Sequence, residues 1–291
     1  MKPAPFTYHA PDSLDEALAL RAQHAGDGAA LAGGQSLVPI LSLRLASPTV
    51  LIDVGRLGEL ATIVREGDEL HVGASTRQRT AENSPDVAAS CGLLAEALPW
   101  IGHPSTRNRG TVGGSLAHAD PAGELPAVAL ALDARLTLRS ERGERVVAAG
   151  EFFHGFMSTA IEPDELLVRL TLPADAPRSG ASFLEVARRH GDFALVAVAA
   201  VVCLGEGDAI AAARIAVAGV DGTPVRASEA EALLRGGTAG AALFAEAAAR
   251  AAQGLEPHGD LHASAAYRRH VAGILVARAL QKATDRAREE P

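Results

Sequence analysis

The sequence predicts an α+β protein built in two parts, and three observations carry that prediction. Up to Pro173, short strand-like runs and short helical runs follow one another. The stretch Ala174–Gly180 (Ala-Asp-Ala-Pro-Arg-Ser-Gly) then interrupts the pattern with the composition of a domain boundary. Beyond it come three strand-like segments in succession, after which helical periodicity takes over to the end. That segregated order marks an α+β arrangement.

In chain order, Pro11 to Leu18 reads as a helix start. Ser13 is placed as N-cap, Glu16 stands in the capping-box position, and Leu14, Ala17 and Leu18 share a face. Ala29–Ala32 is a short apolar strand running into Gly33 and Gly34, and Leu37–Leu45 has helical spacing with Pro39 in a first turn. A strand, a glycine turn and a helix start would aim N–H groups at an anion. Val50–Val54 is a buried strand in which Asp53 reads as a satisfied structural carboxylate. Glu69–Ala74 alternates as a strand, and Thr76–Glu82 and Asp86–Ala97 read as helices, with Cys91 on the apolar face of the second. Leu125–Leu132 is an apolar segment that packs the preceding loop onto the core. Arg135–Leu138 and Arg145–Val147 form a hairpin, and Leu166–Pro173 is a strand with its own stop. The three later strands are Ser182–Ala187, Phe193–Leu204 and Ile210–Val217. Helices are expected over Ser228–Leu234, Gly240–Ala252 and Ser264–Ala283. In the last, Tyr267, Val271, Ile274, Leu275 and Leu280 form one stripe for the core or a subunit contact, and the charged tail Thr284–Pro291 is expected to fray.

Composition bounds the function. The 291 residues are 48% hydrophobic, enough for one large core or two moderate ones. The 27 Lys and Arg against 35 Asp and Glu leave a net charge of −8, and aromatic residues make up 3%. A nucleic-acid binder needs basic stripes and stacking rings, so that class is excluded. Cys91 and Cys203 are isolated in apolar contexts, with no CxxC and no Cys/His cluster. The chain therefore supplies neither an iron–sulfur cluster nor a zinc site, and both thiols read as small hydrophobes in a reducing compartment. No apolar leader opens the chain, and the run Phe193–Leu204 is too short to span a bilayer.

The chemistry gathers at two glycine pairs. Thr111-Val112-Gly113-Gly114-Ser115 reads as a tight turn in which Gly113 and Gly114 take positive φ, so that N–H groups converge beside two hydroxyls. Alone it reads first as a plain Gly-Gly turn. A second such stretch, Ala32-Gly33-Gly34-Gln35-Ser36-Leu37, points instead to a pair of cradles gripping one long diphosphate ligand.

Four stretches together resemble a known family: Ala32–Ser36, Leu51–Val54, Arg107–Pro121 (Arg-Asn-Arg-Gly-Thr-Val-Gly-Gly-Ser-Leu-Ala-His-Ala-Asp-Pro) and Arg188–Ala194 (Arg-Arg-His-Gly-Asp-Phe-Ala). They look like the signatures of the FAD-binding medium subunits of molybdenum hydroxylases, of the aerobic carbon monoxide dehydrogenase and xanthine dehydrogenase type. The resemblance covers nearly the whole chain in order. It implies a PCMH-type FAD-binding fold of two α+β subdomains, split near residue 55 within 1–177. A C-terminal domain of small antiparallel sheet and helices follows over 178–291.

By the same resemblance, the two loops would bind the FAD diphosphate and neighbouring groups through Ala32, Gly33, Gly34, Gln35, Ser36 and Leu37, and through Thr111, Gly113, Gly114, Ser115 and Ala117. Glu124, or the nearer Asp120, would meet ribityl or ribose hydroxyls, while Asp192 and Phe193 would lie near the isoalloxazine. Gln35 stands where the family often has His, and Phe193 where relatives carry Tyr. Neither a catalytic residue for an organic substrate nor a metal ligand is expected in this chain. FAD is expected noncovalent, because no His or Cys stands in a flavinylation motif.

The implied function is electron transfer: the flavin would take electrons from [2Fe–2S] clusters of a small subunit and pass them to an external acceptor. The molybdenum cofactor and the clusters would belong to partner subunits only. The partners would be an iron–sulfur small subunit and a molybdenum large subunit in an (αβγ)2 heterohexamer, cytoplasmic or peripheral at the inner membrane through the complex. Arginines at 107–109 and the segment 188–193 would flank the docking surface. Two rival readings stay open: a stand-alone FAD-dependent reductase of the enolpyruvoylglucosamine reductase type, and a non-catalytic ligand-binding module. A Rossmann domain fails, since no G-x-G-x-x-G follows a strand.

Overall fold

The computed structural model describes residues 2–289. A small first unit holds β1 (Thr7–His9), α1 (Leu14–Gln23), β2 (Gly28–Leu31), α2 (Leu37–Ser42) and β3 (Val50–Asp53). Its three strands are parallel in the order β1-β3-β2. The α1 start is capped as the sequence expects, with Ser13 Oγ accepting from Glu16 N at 3.2 Å. The Glu16 carboxylate reaches back one residue further than a capping box requires, to Asp12 N at 2.9 Å. Asp53 is structural: its carboxylate accepts from Tyr8 Oη at 2.5 Å and from Gly55 N at 3.0 Å.

The second unit runs through β4 (Ile63–Glu66), β5 (Glu69–Gly73), α3 (Gln78–Glu82), α4 (Pro85–Ser90), α5 (Gly92–Ala97), α6 (Pro104–Arg107), α7 (Val112–His118) and α8 (Glu124–Ala131). It continues with β6 (Arg135–Ser140), β7 (Gly143–Ala148), α9 (Ala149–Phe152), β8 (Phe153–Gly155), β9 (Ser158–Thr159) and β10 (Leu166–Pro173). Five of these strands form an antiparallel sheet in the order β4-β5-β10-β6-β7. The segment Leu125–Leu132, expected only to be apolar, forms α8 up to Ala131 with Leu132 as its C-cap, and every residue of that helix is buried.

The helix expected over Asp86–Ala97 is two helices broken at Cys91, whose φ of −150° and ψ of 78° are not helical. The cause lies in the boundary loop. Asp175 N donates to Ser90 O at 2.8 Å, and the Asp175 carboxylate accepts from Gly92 N at 2.6 Å, so these groups are bonded across rather than along the helix. Cys91 is fully buried, and burial pushes its thiol up to about 12. It is packing material, as its apolar context suggested.

The remainder is β11 (Ser179–Ala187), β12 (Ala194–Leu204), β13 (Ile210–Ala218), β14 (Val225–Arg226), α10 (Ser228–Leu234), α11 (Ala241–Gln253) and α12 (Ala265–Glu289). The strands form one antiparallel sheet in that order. One face belongs to the core shared with α5 and α8, through Ala181, Phe183 and Ala199; the other packs on α11 and α12 through Val196, Val198 and Ile215. Such alternation makes β12 read as one continuous apolar run, because both of its faces are covered.

Two expectations for α12 are corrected. The tail does not fray within the described residues, because Lys282 and Arg286 both reach the Glu96 carboxylate and Arg286 also donates to Ala181 O; residues 290 and 291 lie outside the described residues. The apolar stripe also divides. Val271, Leu275 and Leu280 are buried, whereas Tyr267 and Ile274 are exposed. Among the described residues no helix is long and apolar enough to cross a membrane.

Candidate functional site

One cleft of about 610 Å³ opens between the first two units and reaches the β11–β12 loop. Every residue expected to bind cofactor lines it: Ala32 to Leu37 from the first loop; Thr111, Gly113, Gly114, Ser115 and Ala117 from the second; Asp120, Glu124, Asp192 and Phe193 around them.

The first loop leaves the end of β2 and enters α2, with Gly34 at φ +73°, a backbone that favours glycine. Among the described residues, the N–H groups of Gly33, Gly34, Gln35, Ser36 and Leu37 donate to no protein acceptor. Five consecutive donors are thus left unspent where the loop lines the cleft, an arrangement of the kind that suits an anion, and the Ser36 hydroxyl makes no capping bond. Gln35 Nε2 donates to Gly33 O at 3.2 Å, so the side chain at this position braces its own loop.

The second loop is a different object. Gly113 and Gly114 do not take positive φ; they form the first turn of α7, with Thr111 as N-cap. Val112 N donates to Thr76 O at 2.9 Å, Gly113 N to Ala74 O at 2.8 Å, Gly114 N to Thr111 Oγ1 at 3.0 Å and Ser115 N to Thr111 O at 3.1 Å. No amide from 112 to 115 is left for a ligand, which corrects the expectation of a second N–H cradle. These glycines are required by contact. A Cβ on Gly113 would lie 2.7 Å from Ala74 Cα, and one on Gly114 would lie 2.6 Å from Thr111 Oγ1 and 3.4 Å from Ala32 Cβ. Gly33 completes the junction, since a Cβ there would lie 2.7 Å from Gly110 Cα and nearer still to Arg109 O. The guanidinium of Arg77 ties the same seam, donating to Gly55 O at 2.8 Å and to Arg109 O at 2.5 Å.

The acidic pair separates. Asp120 Oδ1 accepts from Ala122 N at 2.9 Å and shapes the turn into α8, following Ala119 at φ +50°. Glu124, the first residue of α8, is 6% exposed, and burial, reinforced by the charge of Asp120, pushes its carboxyl up to about 7. At the mouth, Phe193 is 64% exposed, and Gly191 at φ +86° sits against the His103 ring, which a Cβ would meet at 2.7 Å.

Arg107 does not serve the exposed docking role expected of it. It is buried, donating from Nε and Nη2 to Glu82 at 2.8 and 3.1 Å and from Nη1 to Ile101 O and Gly102 O. Arg109, Arg188 and Arg189 are exposed. The sequence reading also missed Gln78, Arg21 and Leu166–Leu167, which line the cleft from distant parts of the chain. Gln78 is 4% exposed and its Oε1 has no partner, a buried acceptor at the cleft wall. Nothing local in Thr76–Glu82 announces it.

Five free amides suit a diphosphate, hydroxyl and carboxylate groups from Ser115 to Glu124 suit a polyol, and an exposed ring at the mouth suits a planar heterocycle. The residues present fit FAD.

Comparison with known proteins agrees with this chemistry. Residues 4–175 match the family described as FAD binding domain in molybdopterin dehydrogenase, and residues 181–283 match the CO dehydrogenase flavoprotein C-terminal domain. The chain is 43% identical to the 6-hydroxypseudooxynicotine dehydrogenase complex subunit alpha of Paenarthrobacter nicotinovorans, over 99% of this chain and 97% of that one. It is 39% identical to the caffeine dehydrogenase subunit beta of Pseudomonas sp. (strain CBB1), over 98% and 97%. Among solved structures, carbon monoxide dehydrogenase from Hydrogenophaga pseudoflava matches with a TM-score of 0.95 at 40% identity, covering 98% of this chain and 99% of that one.

Proposed function

The chain belongs to the FAD-binding medium subunits of the molybdenum hydroxylases, the flavoprotein subunits of carbon monoxide dehydrogenase-like oxidoreductases, and from that premise we propose how its own residues serve FAD. The observation that carries the proposal is the row of free N–H groups from Gly33 to Leu37, which would hold the diphosphate noncovalently. Thr111, Gly113, Gly114, Ser115 and Ala117 would form the opposite wall. Gly114 approaches Ala32 closely, and the Ser115 hydroxyl would donate to the ligand. Glu124 would accept from hydroxyl groups of the ligand, with Asp120 holding the turn before it, and Asp192 and Phe193 would flank the isoalloxazine.

Bound FAD supplies redox chemistry in one- and two-electron steps, connecting the [2Fe–2S] clusters of a small subunit with an external acceptor. The chain's own task is to bind, orient and partly bury the group. We read residues 1–177, split near 55, as the FAD-binding part and 178–291 as the C-terminal domain. We place the chain in a cytoplasmic (αβγ)2 complex with an iron–sulfur small subunit and a molybdenum large subunit, peripheral at the inner membrane through that complex. Substrate choice then rests with the large subunit: relatives about equally similar to this chain are named for caffeine and for carbon monoxide.

The stand-alone reductase and the ligand-binding module are not favoured, because both halves of the chain match parts of a carbon monoxide dehydrogenase-type flavoprotein. The test is direct. The purified chain should be yellow, release all its flavin as FAD on acid precipitation, and be reduced by an added cluster-bearing partner but not by NADPH with an enol ether substrate. A colourless chain that fails to take up FAD would overturn the proposal.

A further inference from the structure

Glu124 has a companion that the sequence signatures did not include. Glu185 lies on β11 opposite Ala197 of β12. Alternation places it on the sheet face of Ala181 and Phe183, the face that shares a core with Leu125 and Val128 of α8. Glu185 Oε2 is buried and has no hydrogen-bond partner. The wall between the cleft and the C-terminal sheet therefore holds two carboxyl groups that interact electrostatically, one lining the cleft and one behind it. Burial, and then the negative charge of Glu124, pushes the Glu185 carboxyl up to about 8.

The surroundings do not neutralise a second charge. Asp120 adds to the negative field at Glu124, and Arg107 opposes it while already paired with Glu82. From α5, Glu96 is occupied by Lys282 and Arg286 of α12. From β14, Arg226 is occupied by Asp133 and Glu231. His118 of α7 lines the cleft, and Glu151 of α9 is exposed.

We propose that Glu185 is a positioning residue that keeps this wall singly charged, holding its proton at neutral pH so that Glu124 is the member of the pair free to ionise toward a ligand in the cleft. The inference rests on the cleft being the FAD site. Two like charges in a poorly hydrated wall repel, and a bound ligand displaces the water that would screen them. The complex therefore favours protonated Glu185 more than the free chain does. As pH rises through about 8 the proton leaves and affinity falls.

The test measures FAD affinity of the full chain at pH 7 and pH 9. The wild-type chain should bind about fivefold more weakly at pH 9 than at pH 7, the linkage of a one-unit rise from about 8 on binding. Glu185→Gln, which keeps the shape and cannot ionise, should match wild type at pH 7 and change less than about twofold by pH 9. A wild-type affinity independent of pH, or an alkaline loss that persists in E185Q, would overturn the proposal. Infrared difference spectra of the FAD-free chain give a second readout: a protonated-carboxyl band titrating near pH 8 should be present in wild type and missing in E185Q, beside the Glu124 band that titrates near pH 7 in both. Its absence from wild type overturns the proposal even if E185Q folds poorly. A chain that shows this band and binds no FAD at any pH refutes the FAD reading instead, and with it the affinity linkage.

Discussion

The two glycine pairs look alike in sequence and differ in what their glycines do. In Gly33–Leu37 the backbone is left open, with Gly34 in the left-handed region and five amides unspent. In Val112–Ser115 the amides are spent on Thr76, Ala74 and Thr111, and the glycines are ordinary helical residues with no room for a side chain. One loop leaves its donors unspent at the cleft; the other lets the first loop and the central sheet come close enough to form that cleft. A glycine pair can thus answer to backbone conformation or to side-chain clearance, and only the second depends on what lies across from it.

Substitutions should separate the two roles. The largest effect is expected at their junction. In Gly33→Val the new Cβ meets the backbone of Arg109 and Gly110, which cannot swing aside as a side chain would. Overpacking of this kind costs about 1–3 kcal/mol, and displacing the loop should abolish FAD retention on gel filtration. A variant that stays yellow with wild-type affinity would show that the loops do not need this contact.

Gly114→Val comes next. Its effect should arise from collision with Thr111 Oγ1 and Ala32 Cβ, not from φ, since Gly114 is helical. FAD affinity should fall about tenfold, corresponding to ~1.4 kcal/mol, with the C-terminal domain still folded by circular dichroism. Gly114→Ala should lose less; equal losses would mean that the first Cβ carries the whole clash.

Gly34→Ala tests the open loop. The left-handed backbone strains an L-residue by about 1–2 kcal/mol, so FAD should bind at least about fivefold more weakly. No change in a fluorescence titration would argue that the loop relaxes without disturbing its donors.

The smallest effect on binding is expected for Thr111→Ala. Losing an N-cap costs about 1 kcal/mol of stability, a drop in Tm of a few degrees by calorimetry. FAD affinity should stay within about twofold. If affinity falls as far as in Gly34→Ala, Thr111 touches the ligand and the contrast between the loops narrows.

Particular residues show where sequence reading stops. The Ser13 cap, the Arg135–Val147 hairpin and the Leu166–Pro173 strand are legible because their signals lie within a few residues of one another. The break at Cys91 is not legible, because its cause is Asp175, which is far along the chain. Arg107 looked like a surface cation and is buried on Glu82; Gln78 carried no signal and stands as an unpaired acceptor in the cleft wall.

The sequence by itself determined the type and order of the elements and the positions of both glycine loops, because φ/ψ preference, capping and hydrophobic period are local properties of the chain. Only the tertiary structure decided which loop keeps its amides free, why Gly113 and Gly114 must lack a Cβ, and that Glu124 and Glu185 lie close enough to feel one another's charge. Clearance, hydrogen-bond satisfaction and desolvation depend on groups brought together from distant positions, and no local pattern carries that information.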